Sequence, residues 1–322
     1  MERGGQRAWL ALCGLLVVAF IATVVILNST VYSASGFVSS YLSAIDRHDI
    51  SGALAIPGVT LPSGGSRVLL RSDAVVAAEN VRLVSDTTGP DGRHTLVYSS
   101  GSGATAHSTT FTVERSGTLL ALFSGWRFAA SPVATLAVTP EHAASVIVNG
   151  LAFIPSGGAN TATKFLALAP SQFTLSHRST YLAAKKTTVV VGQPGGTVDA
   201  RVNVQATAAF VHEVQKQLDA YLAMCVTQKV LLPTGCPMGE QIDDRIQDTP
   251  AWSMVTNPMV TIVPGTDANT WQVPRASARA HLVVTVKSIF DGTVSAFDRD
   301  VPFTVSYLVT IRGDGSLLIA QQ

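Results

Sequence analysis

One segment of the chain approaches the pattern of a metalloprotease helix, His212-Glu213-Val214-Gln215-Lys216. In such a helix two histidines one turn apart hold zinc, and the glutamate activates the zinc-bound water. Here Lys216 stands where the second histidine is needed, and an ammonium group has no lone pair to give a metal. We therefore interpret residues 212–216 as a solvated helix face and predict no metal ligand there.

The other polar motifs are weaker. The sequence has no G-x-S-x-G, Walker, dinucleotide or calcium-loop pattern. Asp298-Arg299-Asp300 places two acids in a turn before a strand, and we interpret them as solvated. Asn28-Ser29-Thr30 matches the glycosylation sequon, but it abuts an apolar segment and we assign no glycan to it. We predict no catalytic, cofactor-binding or metal-ligating residue and no cofactor.

Cys225 and Cys236 are the cysteine pair that bears on the fold. They lie eleven positions apart across a Leu-Pro-Thr-Gly loop, and in an oxidising compartment such a pair favours a disulfide. A zinc site is the alternative, but it needs more ligands, and the nearest histidine is His212. The third cysteine, Cys13, lies in an apolar segment and acts there as a small hydrophobic residue.

Residues 9–27, WLALCGLLVVAFIATVVIL, carry no charge. As a helix they would span about 28 Å, close to the hydrocarbon core of a bilayer at about 30 Å. We predict a transmembrane helix over residues 9–28, with residues 1–8 in the cytoplasm because Arg3 and Arg7 favour that side. The alternative is a cleaved signal peptide with Ser33 and Ser35 before the cleavage point. In both cases the rest of the chain lies outside the cytoplasm.

The exported part is formally neutral. Of 22 basic and 21 acidic residues, Arg3, Arg7 and Glu2 precede residue 29, which leaves 20 of each sign. A neutral body without a basic run argues against a nucleic-acid partner. About 290 exported residues are more than one typical core holds and predict two or three domains.

Two units of the sequence each begin with an amphipathic helix and continue into strands. The first has apolar residues at helical spacing from Ala34 to Ile45, a short helix from Ser51 to Ile56 capped by Asp49, and strands at 81–84, 94–98, 108–114 and 119–128. The second has a helix from Thr207 to Cys225 and strands at 259–263, 278–288, 301–311 and 317–320, with the middle two as a wide hairpin. Residues 132–204 lack helical periodicity, and strands are predicted at 146–148, 173–175 and 187–191.

The segment FVSSYLSAIDRHDISGALAIPG, followed by strands that close on GWRFAASP, resembles the NTF2-like superfamily, a cone-shaped α+β fold also called SnoaL-like or cystatin-like. The segment VQKQLDAYLAMCVTQKVLLPTGCP resembles a diverged second copy. We therefore expect an α+β chain with NTF2-like domains over residues 29–131 and 205–322, flanking an all-β module over 132–204. The layout resembles exported Gram-positive envelope proteins, including the TcaA-like group, whose cytoplasmic zinc ribbon has no counterpart in residues 1–8.

Enzymes of the NTF2-like superfamily place a His, Asp or Tyr inside the cone as a general acid or base. The residues that the resemblance brings into consideration are Tyr41, His48, Asp49, His107 and His281. No paired carboxylate stands at a recognisable spacing from them, so we expect no catalysis. Trp126 and Phe128 alternate on one strand and are expected in the core.

These observations predict a non-catalytic, membrane-anchored, extracytoplasmic binding or scaffold protein of the bacterial cell envelope. Its expected partners are the membrane, through residues 9–28, and an envelope protein or wall glycan. One alternative is a conjugation or secretion channel component of the VirB8/TcpC type, which also combines one membrane helix with NTF2-like domains. The other alternative is an exported NTF2-like enzyme.

Overall fold

The computed structural model of the chain describes residues 2–103, 106–267 and 269–322, with side chains described outside residues 2–8 and 11. The architecture is α+β, and most of its regular elements are strands. The helices of the described part are α1 Glu2–Ser29, α2 Ala34–Asp46, α3 Ile50–Ala55 and α4 Ala208–Cys225. The predicted fold class, an α+β chain after an N-terminal apolar helix, is confirmed at this level.

Helices α2 and α3 begin where the sequence supplies caps. The Ser33 hydroxyl accepts a hydrogen bond from the backbone N–H of Gly36 at 3.0 Å, and Asp49 Oδ1 accepts one from Gly52 at 2.8 Å. Such caps satisfy N–H groups that have no partner in the first helical turn. The apolar face of α2 is buried as its spacing predicts, with Val38 and Tyr41 fully covered.

The first unit continues into a four-stranded antiparallel sheet in the order β2-β3-β4-β5. Its strands are β2 Arg82–Thr88, β3 His94–Ser100, β4 His107–Leu119 and β5 Phe123–Phe128. The prediction of one strand over residues 119–128 is wrong, because the chain reverses at residues 120–122. Leu120 and Ala121 adopt positive φ angles of 51° and 57°, which carry the chain from β4 into β5.

Two sheets form the middle of the chain. Strands β6 Val133–Glu141, β9 Thr163–Leu168 and β12 Thr197–Asn203 form one, with β12 parallel to β6. The other contains β7 Val146–Val148, β8 Leu151–Phe153, β10 Ser171–Arg178, β11 Leu182–Val191 and β13 Gln205–Ala206. It also contains β1 Val76–Ala77, which comes from the first unit and pairs with β10.

The last sheet is built on a long hairpin. Its strands are β14 Arg245–Ile246, β15 Ala251–Thr256, β16 Val263–Pro264, β17 Thr270–Lys287, β18 Val294–Ile311 and β19 Leu317–Gln321. The predicted wide hairpin is β17 and β18, which pair in antiparallel register along most of their length.

The predicted strand at 259–263 is wrong over residues 259–262, which are irregular. The strands on either side are β15 and the two-residue β16, which begins at Val263. The side chain of Gln215 on α4 forms hydrogen bonds with backbone groups of this segment. Its amide donates to the carbonyl of Pro258 at 3.0 Å and accepts from the N–H of Val260 at 2.9 Å. A side chain thus replaces the bonds of a sheet ladder.

Two hydrophobic cores hold these elements. One joins α2 and α3 to β3, β4 and β5, and the other joins the middle sheets to α4 and the last sheet around Phe210 and Trp271. Tyr41 in the first core donates its hydroxyl to the carbonyl of Ala169 in the middle region at 2.9 Å. The first unit is therefore bonded directly to the middle sheets.

Candidate functional site at the base of the first unit

Helix α1 is apolar and uncovered. Its segment Leu12–Ser29 has a mean hydropathy of 2.5, and none of its residues is buried in the fold. By length and composition it is able to cross a membrane. The side chains of Arg3 and Arg7, on which the predicted orientation depends, lie outside the described part of the structure.

The last turn of α1 is bonded to strand β5. The Asn28 amide donates to the carbonyl of Leu122 at 2.9 Å and accepts from the N–H of Ser124 at 2.8 Å. We refer to these two bonds as the Asn28 clamp. The amide nitrogen of Asn28 also donates to the carbonyl of Val24 at 3.0 Å, so its hydrogen bonds lie within the protein.

An aromatic group lies directly beyond the Asn28 clamp. The ring of Tyr32 stacks on Phe123 with centroids 4.3 Å apart, and the indole N–H of Trp126 donates to the Tyr32 carbonyl at 2.8 Å. Trp126 is also largely buried, as the sequence predicts. These contacts close the gap between helix and domain, so residues 30–33 do not act as a free stalk.

Charged side chains stand on the same sheet, next to the aromatic group. Glu114 accepts hydrogen bonds from Arg93 Nε at 2.9 Å and from Arg127 Nε at 2.8 Å. These bonds, the one from Arg93 first, hold the pKa of the Glu114 carboxyl below its usual value. The guanidinium of Arg115 lies over the Trp126 ring, 5.5 Å from its centre.

His281 on β17 meets Asp298 and Asp300 on the last sheet, because these two acids lie within β18 and not, as predicted, in a turn before a strand. The imidazole lies between two carboxylates, with Nδ1 2.9 Å from Asp300 Oδ1 and Nε2 3.0 Å from Asp298 Oδ1. The hydrogen bond to Asp300 is the main cause that raises the pKa of His281. Both ring nitrogens are occupied, and the neighbouring residues Ala280 and Leu282 face the core. The cluster is therefore an ion-pair network on the outer face of the sheet.

The remaining candidate acids and bases lie apart from one another. Tyr41 is fully buried, and burial raises the pKa of its phenol well above the usual value. His48 is exposed at the end of α2, Asp49 caps α3, and His107 is exposed at the start of β4. The structure gives Tyr41 and Asp49 structural roles and assembles no shared site from these residues.

The broken metalloprotease motif lies on α4 as a solvated face. His212 and Lys216 are exposed, and the Lys216 ammonium is 3.9 Å from Glu213. Among the described residues, no group of three or more His, Cys, Asp or Glu side chains is arranged to hold a metal ion.

Sequence reasoning missed an open groove between α2 and the edge of the first sheet. It has a volume of about 500 Å³, and its polar lining includes Ser39, Ser43, Asp46, Glu79 and Tyr98. The two carboxylates make it acidic. The helical spacing of α2 indicates which residues point away from the core, but the loop around Glu79 carries no periodic signal that would place it opposite them.

The predicted disulfide is present. Cys225 and Cys236 are bonded, with Cα atoms 5.8 Å apart, and the bond joins the end of α4 to the following loop. The indole N–H of Trp252 on β15 donates to the carbonyl of Val230 in this loop at 2.8 Å. The loop is therefore attached to both the helix and the sheet.

No family model, curated protein or solved structure matches this chain. The NTF2-like and TcaA-like resemblances therefore depend on the sequence segments quoted above.

Proposed function

We propose that the chain is a single-pass membrane protein whose folded part stands outside the cytoplasm as a non-catalytic binding or scaffold component of the bacterial envelope. The observation that carries this proposal is the Asn28 clamp at the end of the uncovered, apolar α1. A helix with no cover in its own fold needs an apolar surrounding, and the clamp fixes the first domain at the point where that surrounding ends.

The disulfide supports an extracytoplasmic location. Disulfides persist in oxidising compartments and are rare in the bacterial cytoplasm. The bond between Cys225 and Cys236 lies in the part of the chain that follows α1, so it agrees with export of everything after residue 28.

The contacts of α1 favour a retained anchor over a cleaved signal peptide. Ser33 caps α2 and Ser35 lies inside it, so cleavage after Ser35 would remove the cap from a helix of the first core. It would also remove Asn28 and Tyr32, which together bond to β5.

A binding role agrees with where the polar side chains are. The His281 network is saturated by its own carboxylates, and Tyr41 is committed to the core. The acidic groove beside α2 is open and offers carboxylates and hydroxyls to a polar partner such as a protein segment or a wall glycan. Helices on one face of an antiparallel sheet also agree with the NTF2-like resemblance, which we keep as part of the proposal.

The test has two parts. Extraction of membranes with alkaline carbonate should leave the chain in the pellet, and release into the supernatant would overturn the anchor. A photoreactive amino acid at Ser43 in the groove should then crosslink an envelope component in intact cells, with Lys216 on the solvated face of α4 as the matched control. Turnover of a small molecule without any crosslinked partner, or equal crosslinking from both positions, would overturn the binding role.

A further inference from the structure

The turn between β4 and β5 ends in exposed leucines. We refer to residues 119–122, Leu119-Leu120-Ala121-Leu122, as the apolar tip. Leu119, Leu120 and Leu122 are 53%, 85% and 45% exposed, and residues 116–125 carry no charge. Three leucines uncovered at the end of a hairpin are unfavourable in water and mark a contact surface.

The contacts of β5 place the apolar tip on the membrane side of the first unit. Trp126 bonds to Tyr32, while Leu122 and Ser124 bond to Asn28. The chain from Trp126 to Leu122 therefore runs alongside the chain from Tyr32 to Asn28, toward the apolar span of α1. Leu119 pairs with Phe123, so residues 120–122 form the turn that closes the hairpin. Because Leu122 is bonded to Asn28, this turn lies level with the last turn of α1.

The face of α1 that carries Asn28 agrees with this placement. Val24, Leu27 and Asn28 are partly covered, whereas Val25, Ile26 and Ser29 are exposed. Positions 24, 27 and 28 lie on one side of a helix, the side that bonds to Leu122. The apolar tip therefore lies beside the last turn of the apolar span.

We infer that the apolar tip inserts into the outer leaflet of the same bilayer that α1 crosses, as a second membrane contact of the first unit. This inference rests on the proposed membrane anchor. Asn28 lies in the last turn of a span of hydrocarbon thickness, so the turn bonded to it stands at the boundary of the acyl chains, into which its exposed leucine side chains insert. Depths of about 5–10 Å are typical of interfacial apolar segments.

The residues behind the apolar tip suit the two layers above it. Tyr32, which is half-buried against Phe123, lies at the level where aromatic side chains favour the membrane interface. Arg115 pairs with Trp126 in the β4–β5 register, and its guanidinium lies over that ring. The first charged groups of the hairpin therefore stand behind the apolar tip, at the level of the aromatic residues.

The experiment places a fluorescent thiol label on the full chain in vesicles of phosphatidylcholine and phosphatidylglycerol. One variant carries Leu120→Cys with Cys13→Ala. The matched control carries His107→Cys with Cys13→Ala, at the exposed start of β4, the end of that strand opposite to the apolar tip. The unchanged chain, labelled at Cys13, reports on α1 itself. Each sample is quenched separately by lipid nitroxides and by aqueous iodide.

We expect the label at position 120 to show blue-shifted emission, strong quenching by a shallow acyl-chain nitroxide and little quenching by iodide. The label at position 107 should show the reverse. Iodide quenching at position 120 equal to that at position 107, with Cys13 still quenched by lipid, would overturn the inference and leave the anchor intact. Iodide quenching at Cys13 as well would overturn the anchor and the inference together.

A Leu120 label shielded from both quenchers would show that protein covers the apolar tip and would also overturn the inference. A second variant tests the same contact without a label at the tip. In Leu120→Asp, a label at Leu119→Cys should lose its lipid quenching and gain iodide quenching, because a carboxylate is expelled from acyl chains. Unchanged lipid quenching there would contradict insertion.

Discussion

Removing the disulfide by Cys225→Ala together with Cys236→Ala should destabilise the last unit measurably. Alanine is the right replacement because Cys225 is 1% exposed, and a serine hydroxyl there would be buried without a partner. Cross-linking residues eleven positions apart removes chain entropy from the unfolded state, worth about 3 kcal/mol at 25 °C. The loop retains other bonds, such as the one from Thr234 N–H to Gln228 Oε1 at 2.8 Å, so the variant should still fold.

The assay is urea unfolding of the detergent-solubilised chain, followed by tryptophan fluorescence with and without reductant. Trp252 bonds to Val230 in the cross-linked loop, so its emission reports on this region. For a urea dependence of about 1–3 kcal/mol per molar, a loss of about 3 kcal/mol lowers the midpoint by about 1–3 M. Reductant should lower the wild-type midpoint to that of the variant and leave the variant unchanged.

Two results would refute this reasoning. Equal midpoints for the wild type and the variant would mean that the loop is restrained in the unfolded chain without the bond. A reductant effect of the same size in both proteins would mean that the reductant acts elsewhere than on Cys225 and Cys236.

Three further predictions test single side chains. Tyr41→Phe should cost about 1–3 kcal/mol in thermal unfolding, because the buried carbonyl of Ala169 loses its donor; an unchanged transition would contradict this bond. Asp49→Ala should cost about 1 kcal/mol in the same assay through loss of the α3 cap, whereas Asp49→Asn should cost less, and equal losses would contradict capping. The pKa of His281 measured by NMR should lie above its usual value, and Asp300→Asn should lower it. Because the pKa of His281 is raised in the folded protein, the stabilisation that its ion pairs contribute is complete below the unfolded pKa and is lost as the pH rises through the folded pKa. A His281 pKa that Asp300→Asn leaves unchanged would refute the pairing.

Local patterns predicted the helices well. The apolar spacing of α2 and α4, the cap at Asp49, and the Cys225–Cys236 bond all depend on residues close in sequence. The long β17–β18 hairpin was also within reach, because its two strands share a short turn. The local pattern at 259–263 predicted a strand wrongly. The segment contains residue types typical of strands, but the side chain of Gln215 on α4 bonds to its backbone groups.

Distant pairings were out of reach. Strand β12 pairs with β6 in parallel, and β1 joins β10 across nearly a hundred residues, and neither pairing has a signature in sequence periodicity. The side-chain clusters could not be predicted for the same reason. His281 and Asp300 each drew notice in the sequence, but only the β17–β18 register sets them opposite one another. The acidic groove and the apolar tip likewise depend on which loop faces which helix.

The way the first unit is attached bears on what kind of binding the proposed scaffold performs. A protein that captures distant partners gains reach from a long flexible linker. Here only residues 30–33 separate α1 from α2. The Asn28 clamp and the bond between Tyr32 and Trp126 fix this short linker to β5. The bond from Tyr41 to Ala169 then passes the same constraint to the middle sheets. If the apolar tip adds a second membrane contact, the domain is restrained in tilt as well as in height. The groove beside α2 would then meet only partners at a fixed distance from the bilayer, which favours other membrane-attached proteins over wall glycans farther away.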